Sequence, residues 1–216
     1  MTDTIVRFEE MSKSFKGIPL FRDASFDIEA GQSYGLTGPN GSGKSVLLQM
    51  MCGLIRPDTG RATIAPRYLS KGRTFPDWFG ISINGPAFLA GLSAIENLRS
   101  LAAIRGRADD DELKETLSEV GLDPNSSQRV RSFSLGMKQK LSLAQAFIES
   151  PKVLLLDEPF NALDEASVMR VGALLRMRQA EGVTLVLTSH HPQEISDYCD
   201  TRLSIQHQSV MSAAGK

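Results

Sequence analysis

The stretch Gly38-Pro39-Asn40-Gly41-Ser42-Gly43-Lys44-Ser45 constrains this chain more than any other part of it. Two glycines separated by four residues, then a lysine and a hydroxyl, make a phosphate-binding loop. The glycines let backbone N–H groups curl round the phosphates, Lys44 brings a point charge to the β- and γ-phosphates, and Ser45 offers a hydroxyl to Mg2+. The flanks agree. Residues 33–37 predict a short buried strand and residues 45–51 a helix, which would place an anion at a helix N-terminus. A glycine-rich turn matching by chance is the alternative, and the strand and helix on either side weigh against it.

The 216 residues suit one α/β domain with an inserted subdomain. The formal charge is -1, and acidic and basic residues are spread along the chain, so neither a nucleic-acid partner nor a polybasic membrane patch is expected. Cys52 and Cys199 follow no metal or redox spacing and read as reduced thiols. No apolar run approaches the ~20 residues of a membrane span. Met1-Thr2-Asp3-Thr4 has none of the basic and apolar character of a secretion signal, so the chain is expected to stay inside the cell.

Residues 4–10 and 18–30 predict antiparallel strands ahead of the loop, joined through Ser14-Phe15-Lys16-Gly17. Phe15 has two readings, a platform for a nucleobase or packing under a turn, and the residues alone favour the second. After the first helix come a turn at 56–60, a short strand at 61–64, an irregular stretch at 65–78 and a strand at 79–83 that breaks at Asn84-Gly85-Pro86. From 92 to 149 the pattern is helical: 92–105, then a helix capped by Asp109-Asp110-Asp111 and stopped at Gly121, then 134–149. A buried strand at 151–157, a helix at 164–180 and another buried strand at 183–188 follow, and the tail from Met211 to Lys216 is expected to fray. Strands alternating with helices predict a mainly parallel sheet.

Four apolar residues deliver Asp157 and Glu158 to the end of a buried strand, where open α/β sheets place their ligands. Asp157 is placed to hold the Mg2+ that Ser45 contacts, and Glu158 to orient or deprotonate a water attacking the γ-phosphate. Thr188-Ser189-His190 closes the neighbouring strand, so His190 can reach both Glu158 and that phosphate. His191 is its rival, and a histidine at a strand end is more often structural.

Taken together, these residues resemble the nucleotide-binding subunit of ABC transporters over essentially the whole chain. Gly38–Ser45 matches the Walker A loop, with Val46 following it, residues 153–158 match the Walker B strand, Asn161-Ala162-Leu163-Asp164 the D-loop, and His190 the switch histidine. Phe133-Ser134-Leu135-Gly136-Met137-Lys138-Gln139 matches the signature loop. The resemblance implies a P-loop NTPase core with a mainly parallel sheet (1–84 and 151–216), an N-terminal antiparallel β subdomain, and an inserted α-helical subdomain at 85–150. It implies ATP and Mg2+ as ligands, Phe15 as the adenine platform, Lys44, Glu158 and His190 in hydrolysis, and Ser134 with Gly136 serving the ATP held by a second ATPase subunit. ATP would be hydrolysed in a head-to-tail dimer and the motion passed to transmembrane permease subunits on the cytoplasmic face of the membrane.

Two departures carry information. Leu135 and Met137 stand where the family has glycine and glutamine, and Phe-Ser-Leu-Gly-Met is similar to bacitracin- and lantibiotic-type exporter ATPases, which implies export. Asn84 stands where the family's Q-loop glutamine touches Mg2+ and water; it keeps the amide on a side chain one methylene shorter. The apolar stretch 85–91 reads equally as a docking surface for a membrane partner and as Phe88 and Leu89 packing onto the helical insertion. Two rivals remain: a soluble member of the superfamily acting on ribosomes or DNA, and a regulatory subunit that binds ATP without cleaving it.

Overall fold

The computed structural model describes residues 3–72, 75–83, 85 and 87–214. Asn84 lies outside them, so the expectation for that side chain is neither met nor refused. Strands β1 (Thr4–Phe15) and β2 (Ile18–Glu29) pair antiparallel, and β4 (Thr59–Ile64) adds to β1, giving a three-stranded sheet ordered β2-β1-β4. Their hairpin turns at Lys16 and Gly17, both at positive φ, the geometry that matches the twist of paired strands. Phe15 therefore stands at the hairpin's end and is 47% exposed, which excludes packing under the turn.

The larger sheet runs β5-β6-β7-β3-β8-β9, with β3 (Ser33–Thr37), β5 (Phe79–Ser82), β6 (Val153–Leu156), β7 (Thr184–Thr188) and β8 (Thr201–Gln206) parallel. Only β9 (Ser209–Ala214) runs against its neighbour. This corrects the expected frayed tail, because Met211 to Ala214 lie in β9, in register with Thr201 to Ser204 of β8. The side chains of β6 and β7 alternate as a sheet demands. Leu154, Leu156, Leu185 and Leu187 face one core and Val153, Leu155 and Val186 the other. The second core also takes Leu47, Leu48, Met50 and Met51 of α1 (Lys44–Met51) together with β1 and β2. Cys52 and Cys199 are buried and unbridged.

Between β5 and β6 come α2 (Ala94–Ala102), α3 (Asp110–Glu119) and α4 (Leu135–Phe147). Each start is dictated locally. Ser93 and Glu96 form a reciprocal capping box, Asp109 Oδ1 accepts from the amides of Asp111 and Glu112, and Ser134 Oγ accepts from the Met137 amide at 3.1 Å. Helix α4 then lies directly on β5: Ser82 and Ser142 share a buried hydrogen bond at 2.7 Å, and Gly80 meets the Ala146 carbonyl with no room for a side chain. Helix α5 (Glu165–Ala180), capped by Asp164, covers the first core, and the short α6 (Pro192–Tyr198) joins β7 to β8. Among the described residues, no helix is long and apolar enough to cross a membrane.

Candidate functional site

Parallel strands β3, β6 and β7 end side by side, so their C-terminal residues open onto one place. After β3 the chain turns through residues 38–43 into α1, whose first helical residue follows Gly43 at φ 99, a left-handed position with no side-chain cap. The α1 amides are thus left free to face an anion. The Lys44 amine, on a side chain almost wholly buried, donates to Gly38 O at 2.8 Å and Pro39 O at 3.3 Å and ties the loop together.

Ser45 Oγ donates to Asp157 Oδ2 at 2.6 Å, joining the start of α1 to the end of β6. Thr188, fully buried at the end of β7, binds both acids: its hydroxyl donates to Asp157 Oδ1 at 2.7 Å and accepts from the Glu158 amide at 2.9 Å. Glu158 sits at φ 52, in the left-handed region, so something must hold it there. Its Oε2 accepts from the His190 amide at 3.3 Å, and the His190 ring nitrogen Nε2 lies 3.1 Å from Oε1. Among the described residues, no hydrogen bond satisfies the buried Oε1. Burial pushes the Glu158 carboxyl above its ordinary value; the nearby His190 and Lys44 oppose this and Asp157 reinforces it.

These groups surround a cleft of about 430 Å3 lined by Phe15, Leu20, Asn40, Gly41, Gly43, Lys44, Ser45, Val46, Asp157, Glu158 and His190. The donor chemistry fits a magnesium nucleoside triphosphate. Ser42 Oγ is buried in the loop with no partner, the Glu158 Oε1 is equally orphaned, and a hydroxyl and a carboxylate meet at Ser45 and Asp157, as a hard cation prefers. His191 does not line this cleft: its amide donates to Ser189 Oγ at 2.8 Å, and the Ser189 hydroxyl donates to Glu194. Ser134 and Gly136 are not brought into it either. They open α4 elsewhere, with Leu135 between them 68% exposed.

Thr188 and Gln139 stand in stretches the sequence singles out, but the sequence assigns neither of them a role. Thr188 was visible only as a polar end to a strand, and its double contact spans about thirty residues of sequence. Gln139 closes the signature stretch, which gave it no role of its own; its Nε2 donates to Glu158 O at 3.2 Å and Pro159 O at 3.1 Å, partners about twenty residues away. The loop at 85–91 divides its two readings between residues, with Phe88 packed onto the first core and Leu89 exposed; buried Asn97 holds it, accepting from the Leu89 amide and donating to Leu89 O.

Thr188→Val keeps the shape and removes the hydroxyl, leaving an acid oxygen and a buried amide unpaired. It is expected to cost about 1–3 kcal/mol in a denaturant titration, and Thr188→Ser to recover most of that loss.

Comparison with known proteins puts a family to this geometry. Residues 21–161 match the ABC transporter family model. An uncharacterized ABC transporter ATP-binding protein of Bacillus subtilis, YybJ, is 41% identical over 91% of this chain and 90% of its own length. The lantibiotic transport ATP-binding protein SrtF of Streptococcus pyogenes is 30% identical over 91% of this chain and 84% of its own. The bacitracin transport ATP-binding protein BcrA of Bacillus licheniformis is 31% identical over 91% of this chain and 65% of its own. Among solved structures, an ATP-binding subunit of an ABC transporter superposes with a TM-score of 0.87 at 26% identity, covering 98% of this chain and 90% of that one. A dimeric ATP-binding cassette bound to ADP and Pi shares the fold, with a TM-score of 0.87 at 20% identity over 98% of this chain and 99% of that one. The chain belongs to the ABC transporter family, as an ATP-binding subunit.

Proposed function

We propose that this chain hydrolyses ATP as one half of a head-to-tail dimer and drives export through separate membrane subunits. The observation that carries the reading is the meeting of Lys44, Ser45, Asp157, Glu158 and His190 round one cleft, while Ser134 and Gly136 face elsewhere. A chain built this way holds a triphosphate but leaves its signature residues for a neighbour's. Phe15 provides an exposed face for the adenine, and the loop amides with Lys44 hold the phosphates. Ser45 and Asp157 would hold Mg2+, which would supply positive charge against the negative charge on the phosphate oxygens; Asn84 is proposed as a further contact to it.

Glu158 takes the proton of the attacking water as its oxygen bonds to the γ-phosphorus and the bond to the bridging oxygen of ADP breaks. His190 keeps the carboxylate and the water in line. The core of 1–84 and 151–216 and the inserted 85–150 act as two bodies whose relative movement reaches the membrane partner, with the exposed Leu89 loop at the contact. Export is favoured by the signature wording and by the bacitracin and lantibiotic transport proteins among the relatives. On this reading the chain works at the cytoplasmic face of the membrane.

Two measurements test the reading. Purified chain should release phosphate from ATP in the presence of Mg2+, and no turnover would leave the regulatory, ATP-binding alternative. A pull-down from detergent-solubilised native membranes should bring a stoichiometric partner with several apolar spans of ~20 residues. Ribosomal proteins or nucleic acid in its place would refute the transport role.

A further inference from the structure

Glu158 is the one acid at the cleft held at positive φ, and its backbone is gripped from both sides. Its amide donates to Thr188 of β7, and its carbonyl, with that of Pro159, accepts from Gln139 of α4. A second close approach backs the first. The Gly136 backbone presses on the Ala162 carbonyl, so that a Cβ there would stand 2.8 Å from that oxygen, and Ala162 is itself left-handed at φ 61. Thus the opening turns of α4 meet the segment from Glu158 to Ala162 at two points, through one side-chain amide and one bare backbone.

We propose that Gln139 is a positioning residue for hydrolysis, fixing the backbone of Glu158 to the signature helix of the same chain. The inference rests on the ATPase reading given above. One end of α4 offers Ser134 to the opposite nucleotide, and about one and a half turns further on Gln139 holds the base for the chain's own nucleotide. A displacement of Ser134 is therefore carried to Glu158 without passing through the β-sheet. Two neutral hydrogen bonds give little stability, but a base misplaced by an ångström loses much of its rate.

The test is Gln139→Met, which keeps the length of the side chain and removes its donor. Steady-state ATP turnover and amide hydrogen exchange are measured side by side on wild type and variant. Turnover is expected to fall about 10- to 100-fold in kcat with KM within about twofold, and exchange over residues 157–163 to rise while β3 and β7 keep their protection. Unchanged kcat, or unchanged exchange over 157–163, overturns the proposal, as does loss of protection throughout the chain, which would make Gln139 a general stability residue. A wild-type chain without turnover would refute the ATPase reading instead, and exchange would still decide whether Gln139 fixes the segment.

Discussion

Glu158→Gln is expected to bind ATP about as tightly as the wild-type chain while losing turnover by about 100-fold or more, the usual contribution of a positioned general base. The backbone at φ 52 treats the two side chains alike, and the grips of Thr188 and Gln139 act on main-chain atoms that the substitution leaves in place. What changes is chemical: the amide cannot accept the water's proton, and it removes a negative charge from beside the phosphates. ATP that binds and is not cleaved should hold the pair of subunits closed, so that size-exclusion chromatography with ATP shows a dimer for the variant. Undiminished turnover would refute the assignment of the base. In the wild type, burial holds the Glu158 carboxyl above its ordinary 4.5. Turnover should accordingly fall on acidification at a pH above the usual carboxylate range, since the protonated acid is no base.

Sequence alone reached the centre of this molecule better than its edges, for reasons that differ from element to element. Strands β3, β6 and β7 are buried on both faces; β6 and the middle of β7 are apolar runs, β3 leads straight into the phosphate loop, and the order of motifs supplied the rest. The closing hairpin had no such signal. Residues 201–214 scatter their apolar positions among serine, glutamine and histidine, and their turn uses His207 and Gln208 at positive φ where glycine or asparagine would have announced it. Pairing of β8 with β3, more than 160 residues away, gives β9 a strand to join and so turns an apparent tail into sheet. The site shows the same division. Roles could be given to Lys44, Ser45, Asp157, Glu158 and His190 because each is a chemical group in a local pattern, whereas Thr188 and Gln139, though they stand in motif stretches, act through contacts that exist only once three elements have packed.

Gly80→Ala is expected to be among the most damaging single-methyl additions in the chain, because the seam it occupies sets the height of α4 above the sheet. The added Cβ would fall inside the Ala146 carbonyl, with Leu154 Cδ2 at 2.8 Å on the other side, and a helix carbonyl cannot turn aside as a side chain can. The neighbouring contacts have no slack to give: Ser82 and Ser142 are hydrogen-bonded across the same seam, and Ala144 and Ala146 are fully buried. Overpacking of this kind costs about 3 kcal/mol or more, which for a chain of this size lowers Tm by about 6–12 °C. Gly91→Ala is the control: open space surrounds that position, and its stability should change by less than about 0.5 kcal/mol. The variant also separates stability from positioning. If α4 is lifted off β5, Gln139 is drawn away from Glu158, so turnover measured well below the melting point should fall while ATP affinity, set by the loop and α1 on the other side of the sheet, stays near the wild-type value. A Gly80→Ala chain that melts with the wild type would mean that α4 yields easily, and a helix that yields could not carry movement from Ser134 to the base.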